Sequence, residues 1–152
     1  EMNQRIQRFD RILKLREDGR RAEQVTLAAE RREERGVMDR LSALEGERAE
    51  AIAEFRGGDE RVTNGADLWF QRQFIDAINT NIDRGRQSLQ DVRQRILGTE
   101  ARLVERHKDV RIMETYVDRL KTADFKERLD AEQLELDDVA TLHCARGKRG
   151  GR

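Results

Sequence analysis

The stretch IDAINTNIDRGRQSLQDVRQRILGTEARLVERHKDVRIMETYVDRL, residues 75–120, decides the fold. Alternating steps of three and four from Ile75 reach Ile78, Ile82, Gly85, Leu89, Val92, Ile96, Thr99, Leu103, Arg106, Val110, Met113, Val117 and Leu120. Eleven of these fourteen positions are large apolar residues, and the places between them are mostly Arg, Asp, Glu, Gln and Asn. An apolar residue every 3.5 positions on average, kept up for about six heptads, is the seam of a coiled coil.

Toward the N-terminus the helical pattern is interrupted once, at Arg56-Gly57-Gly58-Asp59-Glu60-Arg61-Val62-Thr63-Asn64-Gly65. The Gly-Gly and Asn-Gly pairs mark a loop. Thr63, Asn64 and Asp67 are candidate caps, because their side-chain oxygens accept from the free N–H groups of a following helix. The chain therefore reads as helix 1 (about 4–56), a loop (57–65), helix 2 (about 66–142) and a disordered basic tail, 143–152.

Helix 1 carries a rougher stripe. Met2, Ile6, Phe9 and Leu13 step by four, three and four, and Val37, Leu41, Leu44, Ala51 and Phe55 form a second run with Arg48 in the skipped place. Between them, Ala22, Val25 and Ala29 hold a thin alanine-rich middle. These runs do not join without a shift, so local irregularity is expected near Gly19 and Gly36. If the loop reverses the chain, facing residues have numbers adding to about 123. Phe55 then faces Leu68, Leu41 faces Ile82, Leu13 faces Val110 and Ile6 faces Val117, all apolar on both sides. The expected fold is all-α: a long antiparallel two-helix coiled-coil hairpin over 1–142, with an overhanging C-terminal helix end.

Composition agrees. Charged residues are 41% and hydrophobic residues 36% of the chain, too little apolar surface to surround a three-dimensional core but enough for one stripe. There is no proline, the residue that breaks helices most strongly. The formal net charge is zero, so no global field draws the chain to nucleic acid or to an anionic membrane. Cys144 is the only cysteine, which rules out an internal disulfide. No apolar run is long enough to span a bilayer, and the polar start Glu1 to Arg8 does not read as a signal peptide.

Two places look suited to partners. Thr122 to Leu142 extends past helix 1 and has its own stripe of Phe125, Leu129, Leu136 and Ala140, with Val139 beside it. A lone amphipathic helix is marginal in water and gains stability by docking. Near the loop, Trp69, Phe70 and Phe74 lie off the seam, Phe70 and Phe74 sharing a face at i and i+4. Catalytic signals are missing. His107 has no second ligand near it, and adjacent His143 and Cys144 cannot supply a tetrahedral metal set. Gly57-Gly58 lacks the Lys and Ser/Thr of a phosphate loop. The expectation is a non-enzymatic protein with no cofactor, no metal and no small-molecule substrate; its short basic tail supports only weak, salt-sensitive contact with nucleic acid.

Several stretches resemble the FliJ family of bacterial flagellar type III protein export. The opening Arg8-Phe9-Asp10-Arg11-Ile12-Leu13-Lys14-Leu15-Arg16-Glu17 is similar to that family's first phrase. Trp69-Phe70-Gln71-Arg72-Gln73-Phe74-Ile75 is similar to the start of its second helix. Arg106-His107-Lys108-Asp109-Val110-Arg111-Ile112-Met113-Glu114, followed by Arg119-Leu120-Lys121, resembles its late pattern. Glu132-Gln133-Leu134-Glu135-Leu136-Asp137-Asp138-Val139-Ala140 resembles its closing phrase, with Asp138 in place of the usual Glu. The likeness covers nearly the whole chain.

The resemblance implies a stalk whose open end enters a hexameric flagellar export ATPase. It also implies contact with the cytoplasmic domain of the membrane export gate, and a part in recycling export chaperones. By the same carry-over, Phe125, Leu129, Gln133, Leu136, Asp137 and Ala140 lie at the ATPase end, and Phe55, Phe70, Phe74 and Ile78 in the gate-facing part. The implied location is the cytoplasm, at the inner-membrane base of the flagellum, without membrane insertion. Gly85 departs from the family pattern, whose second-helix surface is not glycine-rich. A scaffold coiled coil of another class and the equivalent stalk of a virulence secretion system are the alternatives.

Overall fold

A computed structural model describes residues 1–57 and 65–150. It contains two helices, α1 (Met2–Gly57) and α2 (Gly65–Arg149), packed against each other as a hairpin, with no strand among the described residues. The central part of the expected loop, with the candidate caps Thr63 and Asn64, lies outside the described residues; Asp67 stands in the first turn of α2. The chain divides into two compact units, each built from both helices.

The first unit joins Glu1–Arg20 to Glu105–Arg152. Its buried residues are Ile6, Val110, Met113 and Val117. Phe9 meets Tyr116 edge-to-face at 4.8 Å between ring centres, and Arg5 donates to the Tyr116 hydroxyl at 2.9 Å. Lys121 and Asp10 form an exposed ion pair at 3.6 Å. A methyl at Gly19 would lie 3.5 Å from the guanidinium of Arg106, an ordinary contact distance.

The second unit is Arg21–Val104. Near the loop, Val37, Leu41, Ile78 and Ile82 cluster with Leu44, Ala51 and Leu89 around them. Further along, Leu27, Val92 and Ile96 pack with Leu103. Burying an aliphatic side chain of this size stabilises a fold by about 1.5–3 kcal/mol, so these few residues carry most of the hydrophobic term.

The α2 seam faces inward as its spacing requires, except that Arg106 is exposed. The expected shift in α1 does not occur. The inward positions are Met2, Ile6, Phe9, Leu13, Arg16, Arg20, Glu23, Leu27, Glu30, Glu34, Val37, Leu41, Leu44, Arg48, Ala51 and Phe55, all buried or half-buried. Their steps of four and three never break. Ala22, Val25 and Ala29 are exposed instead. The inward places of the middle are taken by charged residues, because α2 offers polar partners there. Thr99, fully buried, donates to Glu30 Oε1 and accepts from Arg102 Nη2 at 2.9 Å, while Arg102 Nε reaches Glu23 at 3.4 Å. Arg93 pairs with Glu34 at 3.2 Å. Arg95 holds Glu33 with two N–H groups, at 2.7 and 3.1 Å, which keeps the Glu33 carboxyl below its ordinary range and raises Arg95. Exposed pairs contribute little energy, but a two-pronged arginine contact fixes geometry.

Contacts across the helices are displaced by a few residues from the simple reversal rule. Phe9 meets Tyr116, and Leu41 extends over Gly85. A methyl at Gly85 would lie 2.6 Å from Leu41 Cδ2, so the seam glycine is the socket for that leucine. Gly85→Ala gains about 1 kcal/mol of helix propensity but must displace a leucine held in the core, at about 1–3 kcal/mol. The expected net result in urea unfolding is no gain or a loss. Gly46→Ala, with open space around it, should raise stability by about 1 kcal/mol. A stabilised Gly85→Ala protein would contradict the packing.

The C-terminus also differs from expectation. His143–Arg149, expected to be disordered, continue α2. No proline stops the helix, and Arg146, Lys148 and Arg149 in its last turn complement the negative end of the helix dipole.

Candidate partner-binding surfaces

Beyond Lys121 no described residue of α1 packs against α2. Every described residue from Phe125 onward is exposed. Phe125, Leu129, Gln133, Leu136, Asp137 and Ala140 are therefore all available to a partner, and Leu134, Val139 and Leu142 add exposed apolar surface. Phe125, Leu129, Leu136 and Val139 follow helical spacing, so they form one stripe. Residues 129–138 contain five carboxylates and no basic side chain, whereas the final turn is basic. Such a surface fits an apolar groove with a basic rim.

In the second unit, the start of α2 shows Trp69, Phe70 and Phe74, each more than half exposed. Trp69 and Phe70 meet edge-to-face at 5.1 Å. The seam weakens here: Leu68 is exposed, and Gln71 turns inward with its Oε1 buried and without a hydrogen-bond partner among the described residues. Phe55 is half-buried on α1. Ile78 needs a correction. It is 4% exposed in the cluster with Val37, Leu41 and Ile82, so it supports this end from beneath and presents no side chain to a partner. Its place in the α2 seam already required this.

The described residues hold no group of three His, Cys, Asp or Glu side chains able to bind a metal. His107 and Cys144 are exposed. No described helix is long and apolar enough to cross a membrane. The grooves on the surface are open and lined mainly by Arg, Gln and Glu.

Sequence reasoning missed two features. One is the buried Glu30–Thr99 contact, hidden because both residues look like surface residues in a charged chain. The other is a pair of exposed apolar residues, Leu97 and Val104, seven apart on α2. Their spacing was the available signal.

A family model described as flagellar FliJ protein matches residues 4–149. No curated protein and no solved structure matches the chain.

Proposed function

The chain belongs to the FliJ family, which makes it a component of flagellar type III protein export, and from that premise we propose that it is a non-enzymatic stalk acting through its open helical end. That end, Phe125 to Ala140 with Leu129, Gln133, Leu136 and Asp137, inserts into a hexameric export ATPase. The aromatic end with Phe70 and Phe74, backed by Phe55 and Ile78, contacts the cytoplasmic domain of the export gate. Export chaperones are further partners, and the site of action is the cytoplasmic face of the inner membrane at the flagellar base.

The observation that carries this reading is the α2 end itself: an apolar stripe, helical to Arg149, with no α1 residue against it. Exposed contiguous apolar surface of this kind marks an interaction site. The mechanism is mechanical. A single helix with one apolar stripe lacks six-fold symmetry, so inside a ring it touches some subunits and not others. Contact that favours one subunit conformation shifts its population, which is all that coupling to ATP turnover requires.

The test is a pulldown and ATPase assay with the purified hexameric export ATPase. The full chain should bind and raise ATP turnover. A chain ending at Ala123 should keep the helical signal of its remaining residues and its melting behaviour but lose both effects by at least about tenfold, the scale of removing several apolar anchors at a few kcal/mol in total. Undiminished stimulation by the shortened chain rejects the assignment of that end. Phe74→Ala, changed at the opposite site, should leave ATPase stimulation intact and weaken binding to the gate domain.

A further inference from the structure

The apolar stripe at the end of α2 does not continue the seam that holds the hairpin. Carried past Leu120 by the same steps of four and three, the seam runs through Asp124, Glu127, Ala131, Leu134 and Asp138, where only Leu134 is a large apolar residue. Helical residues turn by about 100° each, so Leu129, Glu132, Leu136 and Val139 all lie within about 40° of Phe125 around the helix. Val110, Met113, Val117 and Leu120, which are buried or half-buried against α1, centre about 100° away from that line. Leu134 lies on the opposite side, about 180° from Phe125.

One member of the stripe is not apolar. Glu132 stands between Leu129 and Leu136, three residues after one and four before the other, and all three are exposed. The basic residue one turn before it, Arg128, is held by Asp124 at 3.2 Å, and Glu132 makes no ion pair or side-chain hydrogen bond among the described residues. The neighbouring aspartates are placed differently. Asp130, Asp137 and Asp138 turn more than about 100° away from Phe125, so a partner seated on the stripe leaves them in water.

We infer that Glu132 is the ionic anchor of this stripe, and that the groove receiving the stripe carries a basic side chain between two apolar pockets. The inference rests on the export-ATPase reading above and names the chemistry that the ring must present to this helix. A groove that closes over Leu129 and Leu136 takes Glu132 out of water with them. An unpaired carboxylate there opposes binding, whereas a guanidinium or ammonium opposite it makes a directional contact. Such a pair also fixes the helix along its own axis. A helix slipped by seven residues still puts Leu136 in the pocket of Leu129, but it sets Val139 where Glu132 belongs and leaves the basic group unpaired. Because the line is turned away from the seam, the groove reaches it without parting α1 from α2.

The test is the affinity of the full chain for the hexameric export ATPase, measured over a range of salt concentrations. All the positions changed are exposed, so each variant should keep the parent's melting curve. Glu132→Gln and Glu132→Leu should each weaken binding by at least about tenfold, and Glu132→Gln should also flatten its dependence on salt. Asp130→Asn and Leu134→Ala, on the far side of the helix, should bind within about twofold of the parent. Glu132→Leu is the deciding variant. It completes the apolar stripe, so a groove without a basic side chain would hold it more tightly than the parent. Equal or tighter binding by Glu132→Leu overturns the inference. So does an equal loss from Asp130→Asn, which would reduce Glu132 to one charge in a general field. Both results leave the ATPase reading standing as long as the chain ending at Ala123 fails to bind. Binding retained by that shortened chain overturns the reading itself, and the inference with it.

Discussion

Ile82→Ala should destabilise the second unit by about 2–4 kcal/mol, near the largest loss any single truncation in this chain can produce. Ile82 is 1% exposed and stands among Val37, Leu41 and Ile78. Removing three carbons from that cluster forfeits their transfer free energy and leaves a void. Two packed helices collapse around a void more readily than a globular core does, which is why the upper end of the usual range is not expected. Ile112, 63% exposed on the same helix, provides the control, with a change to Ala expected to lie within about 0.5 kcal/mol. Urea unfolding followed by far-ultraviolet circular dichroism reads both. Equal losses at the two positions would mean that the seam does not run where the structure has it. The same contrast should hold in the first unit between Val110, also buried, and exposed Leu15.

The second large effect is expected at the polar layer. Thr99→Val should cost about 1–3 kcal/mol although the new side chain has nearly the same size. The valine cannot donate to Glu30, and a buried carboxylate loses a partner that water cannot replace. Changing both residues, Glu30→Leu with Thr99→Val, removes donor and acceptor together. That double variant should recover the loss and can exceed the parent, because paired buried polar groups add little net stability over apolar ones. A double-mutant cycle should therefore return a coupling of about 1 kcal/mol or more. The double variant should also lose precision of pairing. A single polar layer at a heptad seam penalises a slipped register, since any slip separates Glu30 from Thr99. Spin-label distances across the second unit should be narrow in the parent and broader in the double variant. Equally narrow distances would show that the apolar clusters set the register alone.

These two results separate what each kind of residue does. Ile78, Ile82, Val92 and Ile96 supply attraction without direction, and a coiled coil made only of such residues tolerates a shift of one heptad. Glu23, Glu30, Glu33 and Glu34 on α1, facing Arg93, Arg95, Thr99 and Arg102 on α2, supply direction with little net attraction. The charged middle of the seam gives up some hydrophobic energy for a unique alignment.

The candidate partner surfaces were legible to different degrees. Phe125, Leu129 and Leu136 could be found in the sequence because their stripe runs on past Leu120, where the α2 seam stops. Phe70 and Phe74 could be found because large aromatics off the seam have no inward place. Ile78 was mistaken for a contact residue although it was itself a seam position, and periodicity outranks resemblance there. Leu97 and Val104 were passed over because two isolated apolar residues in a polar helix carry no meaning until the neighbouring face of α1 is known.

By itself the sequence determined the helices, the inward face of α2, the pairing of the two helices as a hairpin and the exposed apolar stripe beyond Leu120. All of these follow from local periodicity, glycine placement and the absence of proline, which act along the chain and need no partner to be read. Only the tertiary structure decided the inward face of α1 between Arg16 and Glu34 and the socket at Gly85. There the inward residue is charged or has no side chain, and whether such a position is buried depends on what the opposite helix offers it. Thr99 for Glu30, Arg102 for Glu23 and Leu41 for Gly85 are pairings across the hairpin, and no pattern along one helix contains them.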